Sequence, residues 1–150
     1  MIVGGNNAPT RSRSVLLVED NDDHAELVRR ALRLSGLPHQ LSRCEDGEQA
    51  LQLLLGSERQ PRARSDCDLV LLDLRLPGVG GIEVLRALRA SDRRMVPTVV
   101  LTTSEADADI RAAYESGARA YLVKPADFAS FGDLVHDLAR FWLVWNETVR

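Results

Sequence analysis

With 150 residues, 45% of them apolar and 27% charged, the chain has material for one domain with a core of its own. A formal charge of −3 argues against a nucleic-acid-binding module, and no apolar run approaches the roughly 20 residues of a membrane span. The first 13 residues lack the apolar centre of a signal peptide, and Cys44 and Cys67 are too scattered for a metal or redox motif, so a cytoplasmic protein without disulfide or zinc is expected.

Residues 1–13 are rich in Gly, Asn, Ser and Arg without periodicity and read as a disordered tail. Ser14 to Glu19 is a short apolar run ending in the acid pair Glu19-Asp20, a buried strand with carboxylates at its mouth. Asp23 and Glu26 have capping-box spacing ahead of a helix whose Leu27, Val28, Ala31 and Leu32 share a face, closed by Gly36 and Pro38. A second strand follows at His39 to Cys44, and Asp46 caps a helix from Glu48 to Leu55. Ser57 to Ser65, with Arg59, Arg62 and Arg64, reads as a solvated connection.

The third strand, Asp68 to Asp73, again ends in an acid and meets a turn of Pro77, Gly78, Gly80 and Gly81. Gly80 to Ala90 has helical spacing, Thr98 to Thr102 is a fourth strand, and Glu105 to Ser116 is a helix with Ile110, Ala113 and Tyr114 inward. Ala120 to Val123 makes the fifth strand, cut off by Lys124-Pro125, and Asp127 opens a long final helix. Five strands alternate with five helices and two read as near-continuous apolar runs, which predicts an α/β fold: a doubly wound, five-stranded parallel sheet with an extended C-terminal helix. In such sheets ligands sit beyond the carboxyl ends of the strands, where strand order reverses. Those ends carry Glu19, Asp20, Asp73, Thr102 and Lys124.

Of nineteen basic side chains eighteen are arginine, and the single lysine is Lys124. An ammonium on a thin stem fits a narrow polar site that a planar guanidinium would overfill. Three carboxylates within a few ångströms repel one another unless a hard cation compensates, and Mg²⁺ suits oxygen ligands. Asp20 and Asp73 are its candidate ligands, with Glu19 acting through water and the backbone carbonyl of Arg75 as a further oxygen. The free oxygen of Asp73 is then placed to attack a phosphoryl group, with Lys124 and Thr102 on the remaining oxygens.

Val-Glu-Asp at 18–20, Leu-Leu-Asp-Leu-Arg-Leu-Pro-Gly at 71–78, Val-Val-Leu-Thr-Thr-Ser at 99–104 and Tyr-Leu-Val-Lys-Pro at 121–125 together resemble the receiver domain of two-component response regulators, over about residues 14–145. The resemblance implies a flavodoxin-like (βα)5 receiver domain at 14–147 with strand order 2-1-3-4-5. It also implies phosphorylation of Asp73 by a histidine kinase, an Mg²⁺ pocket at Glu19 and Asp20, phosphoryl contacts from Thr102 and Lys124, and Tyr121 as the switch aromatic that follows Thr102. The Lys124-Pro125 bond is often cis in that family. Two residues depart from its commoner pattern: Gly80 stands where many relatives have Asp, and Arg75 where many have Asn or Met. The Phe-Trp-Leu ending is similar to the single-domain regulators of bacterial and cyanobacterial phytochromes, which makes a phytochrome-type kinase the expected partner.

All seven aromatic residues lie beyond position 113, and Phe141 to Trp145 is five consecutive apolar residues. At about 100° per residue these encircle a helix, more than one protomer can bury. Tyr114, Tyr121, Phe141, Trp142 and Trp145 are therefore the expected interface of a homodimer built from the fourth helix, fifth strand and fifth helix. Three other readings compete. An aspartate-nucleophile phosphatase needs an acid two residues after the nucleophile, where Arg75 stands. A flavin phosphate would be repelled by Glu19, Asp20, Asp22 and Asp23, and a DNA-binding regulator needs a segment after the last helix.

Overall fold

The computed structural model describes residues 12–56, 67–91 and 95–145. Residues 1–11 of the expected tail at 1–13, the connection at 57–65 and the domain end at 146–147 lie outside the described residues. In chain order the elements are β1 (Arg13–Val18), α1 (Asp22–Leu34), β2 (His39–Cys44), α2 (Gly47–Leu55), β3 (Leu69–Leu72), α3 (Gly81–Ala90), β4 (Thr98–Thr102), α4 (Asp107–Glu115), β5 (Ala120–Val123) and α5 (Phe128–Arg140), with a π-helical turn at Phe141–Trp145. The strands form one parallel sheet in the order β2-β1-β3-β4-β5. This is the expected order, reversing direction between β1 and β3.

Alternation along the strands divides the core into two layers. Val15, Leu17, Leu69, Leu71, Val99 and Leu101 face α1 and α5. Leu16, Val18, Val70, Leu72 and Val100 face α2, α3 and α4. Each fully buried Leu or Val contributes about 1.5–3 kcal/mol, so the paired layers hold the strand ends rigidly where polar side chains must be placed.

Several local expectations change. The first strand begins at Arg13, whose register partner is His39, one residue earlier than the apolar run suggests. Asn21, not Asp23, caps α1: its backbone is extended and its side chain accepts from the His24 N–H, while Glu26 pairs with Arg29 inside the helix. Tyr114 is half exposed because Ala113 takes the core position of α4, and the next residue lies 100° round the helix. The Lys124–Pro125 bond is trans, the form an X–Pro amide favours by about 0.5–1 kcal/mol. The last helix widens after Arg140, turning Leu143 into the core and leaving Phe141, Val144 and Trp145 outward.

Candidate functional site

The parallel ladder runs one residue past the strands at their carboxyl ends and fixes the acids there. Glu19 N–H donates to the Cys44 carbonyl at 3.0 Å, Asp73 N–H to the Val18 carbonyl at 3.0 Å, and Lys124 N–H to the Thr102 carbonyl at 2.7 Å. Glycine shapes the far wall: a Cβ at Gly81 would lie 2.5 Å from the Asp73 carbonyl oxygen and 2.7 Å from Leu74 Cα. The turn after Asp73 can therefore close onto α3 only if residue 81 has no side chain.

Lys124 is the centre of the pocket. Its ammonium donates to Asp73 Oδ2 at 3.0 Å, to Glu19 Oε1, and to His24 Nδ1 at 2.9 Å. An ammonium has no acceptor, so His24 accepts at Nδ1 and carries its proton on Nε2. Glu19, Asp73 and Lys124 are all buried, whereas Asp20 is exposed at the rim. The Arg75 N–H donates to Asp73 Oδ1 at 3.2 Å. Thr102 is fully buried, and its hydroxyl has no hydrogen-bond partner among the described residues.

Burial affects the two inner acids with different outcomes. For Glu19 burial is the largest influence and, reinforced by the Asp73 charge, outweighs Lys124, pushing its carboxyl up to about 7. Burial also opposes the charge of Asp73, but the Lys124 ammonium and the Arg75 N–H prevail and hold it below the usual carboxylate range. Asp73 is the inner acid that stays charged. Burial, then Lys124, lowers the His24 imidazole below its ordinary value and favours the neutral acceptor that the geometry requires.

Glu19, Asp20 and Asp73 each present an oxygen within 4.8 Å of the others. An all-carboxylate set with one solvent-facing member fits a hard divalent cation, Mg²⁺ or Mn²⁺, that keeps part of its water shell. Lys124 is bound to the same two inner acids.

The five residues expected at the strand ends do converge, and Tyr121 stands beside them with its hydroxyl donating to the Ser104 carbonyl at 2.9 Å. Arg75 turns its side chain away toward Asp109. Of the five aromatic residues expected on a dimer face, Tyr114, Phe141 and Trp145 are exposed. Tyr121 and Trp142 are partly buried against the two core layers.

Three contributors were missed in the sequence. The one signal for His24 was its place a helical turn after Asp20, on the first turn of a helix leaving the acidic strand end. Arg43 donates from Nε to the Glu19 carbonyl at 3.0 Å and pairs with Asp22 at 2.9 Å, bracing the acidic loop; its position at the end of β2, next to β1, was the only signal. Asp109 accepts the Ser104 hydroxyl and pairs with Arg75; the pair Asp109-Ile110 after the fourth strand belongs to the phytochrome-regulator resemblance, but nothing in it pointed to the site.

A doubly wound sheet whose switch point gathers an acid cluster, a buried hydroxyl and a lysine defines a receiver domain, and the chain belongs to that family: the response regulator receiver domain model matches residues 15–136. Among relatives, the chain is 42% identical over 139 residues to FilR2 of Methanothrix harundinacea, described as a probable methanogenesis regulatory protein, covering 89% of this chain and 86% of that one. It is 36% identical over 133 residues to the response regulator Rcp1 of Synechocystis, covering 86% and 88%. The crystal structure of the Mn²⁺-bound form of Rcp1 superposes with a TM-score of 0.84 at 31% identity, covering 92% of this chain and 99% of that one. The phosphorylated cyanobacterial phytochrome response regulator RcpA follows with a TM-score of 0.81 at 33% identity, covering 91% and 97%. No helix among the described residues is long and apolar enough to cross a membrane.

Proposed function

We propose that this receiver domain accepts a phosphoryl group on Asp73 from a histidine kinase and passes the change to a protein-binding surface on α4, β5 and α5. The observation that carries the reading is a charged, buried Asp73 that belongs to a carboxylate cluster and pairs with Lys124, with the buried Thr102 hydroxyl left unpartnered among the described residues. An Asp73 carboxylate oxygen attacks phosphorus in line, the P–N bond to the kinase histidine breaks, and the departing imidazole leaves with the bonding pair and takes up a proton. Lys124 neutralises one phosphoryl oxygen. Thr102 donates its otherwise unused hydrogen bond to another, which draws β4 toward the site and alters the support of Tyr121.

Glu19, Asp20, Asp73 and the Arg75 carbonyl would hold Mg²⁺, which when bound offsets charge on the phosphoryl oxygens. Rcp1, a relative of known structure, has an Mn²⁺-bound form, in keeping with an oxygen-ligand site. A phosphatase reading lacks its general acid, because the residue two beyond Asp73 is Arg75. Of the relatives, RcpA is a phytochrome response regulator, and we extend that partner class, a red-light-sensing histidine kinase, to this chain.

The output face combines exposed Tyr114, Phe141 and Trp145 with an apolar groove of about 510 Å³ lined by Leu122, Leu134, Leu138, Phe141 and Trp142. Arg119 and Asp137 also line this groove, opposite charges that a two-fold axis would bring together, so a second copy of the chain is the occupant we assign. Incubation with acetyl phosphate and Mg²⁺ should add the mass of one phosphoryl group to the intact protein. Survival of that adduct in Asp73→Asn would refute the acceptor assignment. Light scattering that found only monomer at micromolar concentration, with and without acetyl phosphate, would refute the dimer.

A further inference from the structure

Arg75 lies two residues beyond Asp73, its N–H bound to Asp73 Oδ1, so its backbone is tied to the acceptor while its side chain is free to swing. At rest the guanidinium, 69% exposed, points to Asp109 Oδ2 of α4 at 3.6 Å. The same oxygen accepts the hydroxyl of Ser104, at 2.5 Å. Ser104 in turn accepts the Ala106 N–H at its hydroxyl and the Tyr121 hydroxyl at its carbonyl. One continuous set of contacts therefore runs from the acceptor through Arg75 and Asp109 to the β4–α4 loop and to Tyr121.

We propose that Arg75 is a phosphoryl-binding side chain held in reserve by Asp109, and that its transfer from Asp109 to phosphorylated Asp73 loosens the β4–α4 loop. The inference rests on the reading of Asp73 as phosphoacceptor. It follows from competition between two anions for one guanidinium. The resting pair is long and its guanidinium is exposed, the kind of ion pair that holds weakly. A phosphoryl group carries more charge than a carboxylate and presents oxygens that match the guanidinium fork. Lys124 is shared among Glu19, Asp73 and His24, so the added charge leaves room for a further cation beside Lys124 and the metal. Arg75 reaches the mouth of the pocket by rotation of its own side chain. Once it leaves, Asp109 loses its positive partner, and the Ser104 contact that anchors the loop and Tyr121 loses its brace.

The test compares wild type, Arg75→Ala, Asp109→Asn and the double variant, all with acetyl phosphate and Mg²⁺. Two quantities are read: hydrogen exchange across residues 103–110 and the half-life of the phosphoryl group. In wild type, phosphorylation should raise exchange in this segment. Unphosphorylated Arg75→Ala and Asp109→Asn should already show the raised level. Arg75→Ala should change the half-life by about threefold or more, and Asp109→Asn, which frees the guanidinium, should change it in the opposite direction. In the double variant the Asp109 substitution should add nothing to the loss of Arg75, and Arg75→Lys should restore the half-life only in part. Equal effects of Asp109→Asn with and without Arg75, or resting exchange unchanged in both single variants, would overturn the latch. An adduct absent from wild type, or retained in Asp73→Asn, would instead remove the acceptor reading and the latch with it.

Discussion

The carboxyl end of the sheet and the turn that closes α5 break the usual segregation of polar and apolar groups in opposite senses. At the sheet end, Glu19, Asp73 and Lys124 are buried although charged residues are rarely buried. At the closing turn, Phe141 and Trp145 are 52% and 69% exposed although large aromatics dominate cores. The first anomaly is internally compensated, since the ammonium contacts both acids and His24. The second has no compensation among the described residues. A compensated polar cluster is suited to chemistry, because its charges are held in fixed positions; an uncompensated apolar surface is suited to a partner, because only contact can remove it from water. The two regions should therefore fail independently under mutation.

The sharpest separation comes from Lys124→Arg. The substitution keeps the charge but places a planar fork in a site closed by Glu19, Asp73 and His24. Labelling by acetyl phosphate should slow on the order of tenfold, about 1.4 kcal/mol. The phosphorylation-dependent rise in exchange across 103–110 should vanish, with the oligomeric state of the unphosphorylated protein unchanged. Wild-type labelling and exchange in this variant would make the single lysine an accident of composition.

The converse cut is the pair Phe141→Ser with Trp145→Ser. Both side chains are exposed in the protomer, so the fold should be kept, with an unchanged circular dichroism spectrum, while the dimer weakens by about 2 kcal/mol or more, the scale of an aromatic hot spot. Sedimentation or light scattering reads the shift, and labelling of Asp73 should proceed at the wild-type rate. A loss of labelling here would couple the two regions more tightly than their separate compensation allows.

How much of each region could be read in advance follows from how it is built. The pocket joins residues 51 and 105 positions apart, yet its members were legible because parallel topology sends every strand end to the same edge of the sheet. His24, Arg43 and Asp109 were not, because they reach the site through side-chain direction and not through strand position. The aromatic turn was legible as a break in helical periodicity, since five consecutive apolar residues fit no single helix face. Its geometry was not: the widening after Arg140 decides that Leu143 is buried and Phe141 exposed, and an ideal spacing of 100° cannot anticipate it. Tyr114 failed for the same kind of reason, a rotation of one residue deciding between core and surface.

Acidity distinguishes the pocket on a smaller scale. The carboxyl of Glu19 is raised from 4.5 to about 7, principally by burial. Between those values the folded chain holds a proton that the unfolded chain has lost, so in the metal-free protein stability should fall as pH rises from 4.5 to 7. The decline should be about 2 kcal/mol and should disappear in Glu19→Gln, measured by urea unfolding in the presence of a chelator. No comparable pH dependence is expected from Phe141→Ser with Trp145→Ser relative to wild type. A flat profile in wild type would mean that Lys124 compensates Glu19 fully.

The smallest effect probes the edge of the pocket, where Gly80 and Gly81 follow the acceptor turn. Gly80 is the N-cap of α3, in extended backbone and without a side-chain cap bond, and a Cβ there would meet nothing closer than 3.8 Å. Glu83 lies three residues on, the spacing of a capping box. Gly80→Ser should therefore stabilise the protein by a few tenths of a kcal/mol and leave labelling unchanged. Its neighbour behaves oppositely, because a Cβ at Gly81 would press on the Asp73 carbonyl and on Leu74. Gly81→Ala should cost about 1–3 kcal/mol and displace the acceptor loop, slowing labelling. If the two substitutions proved equally harmless, the position of Asp73 would not depend on the close approach of α3, and the rigid placement that separates this pocket from the adaptable aromatic face would have to come from Lys124 and the β1–β3 ladder alone.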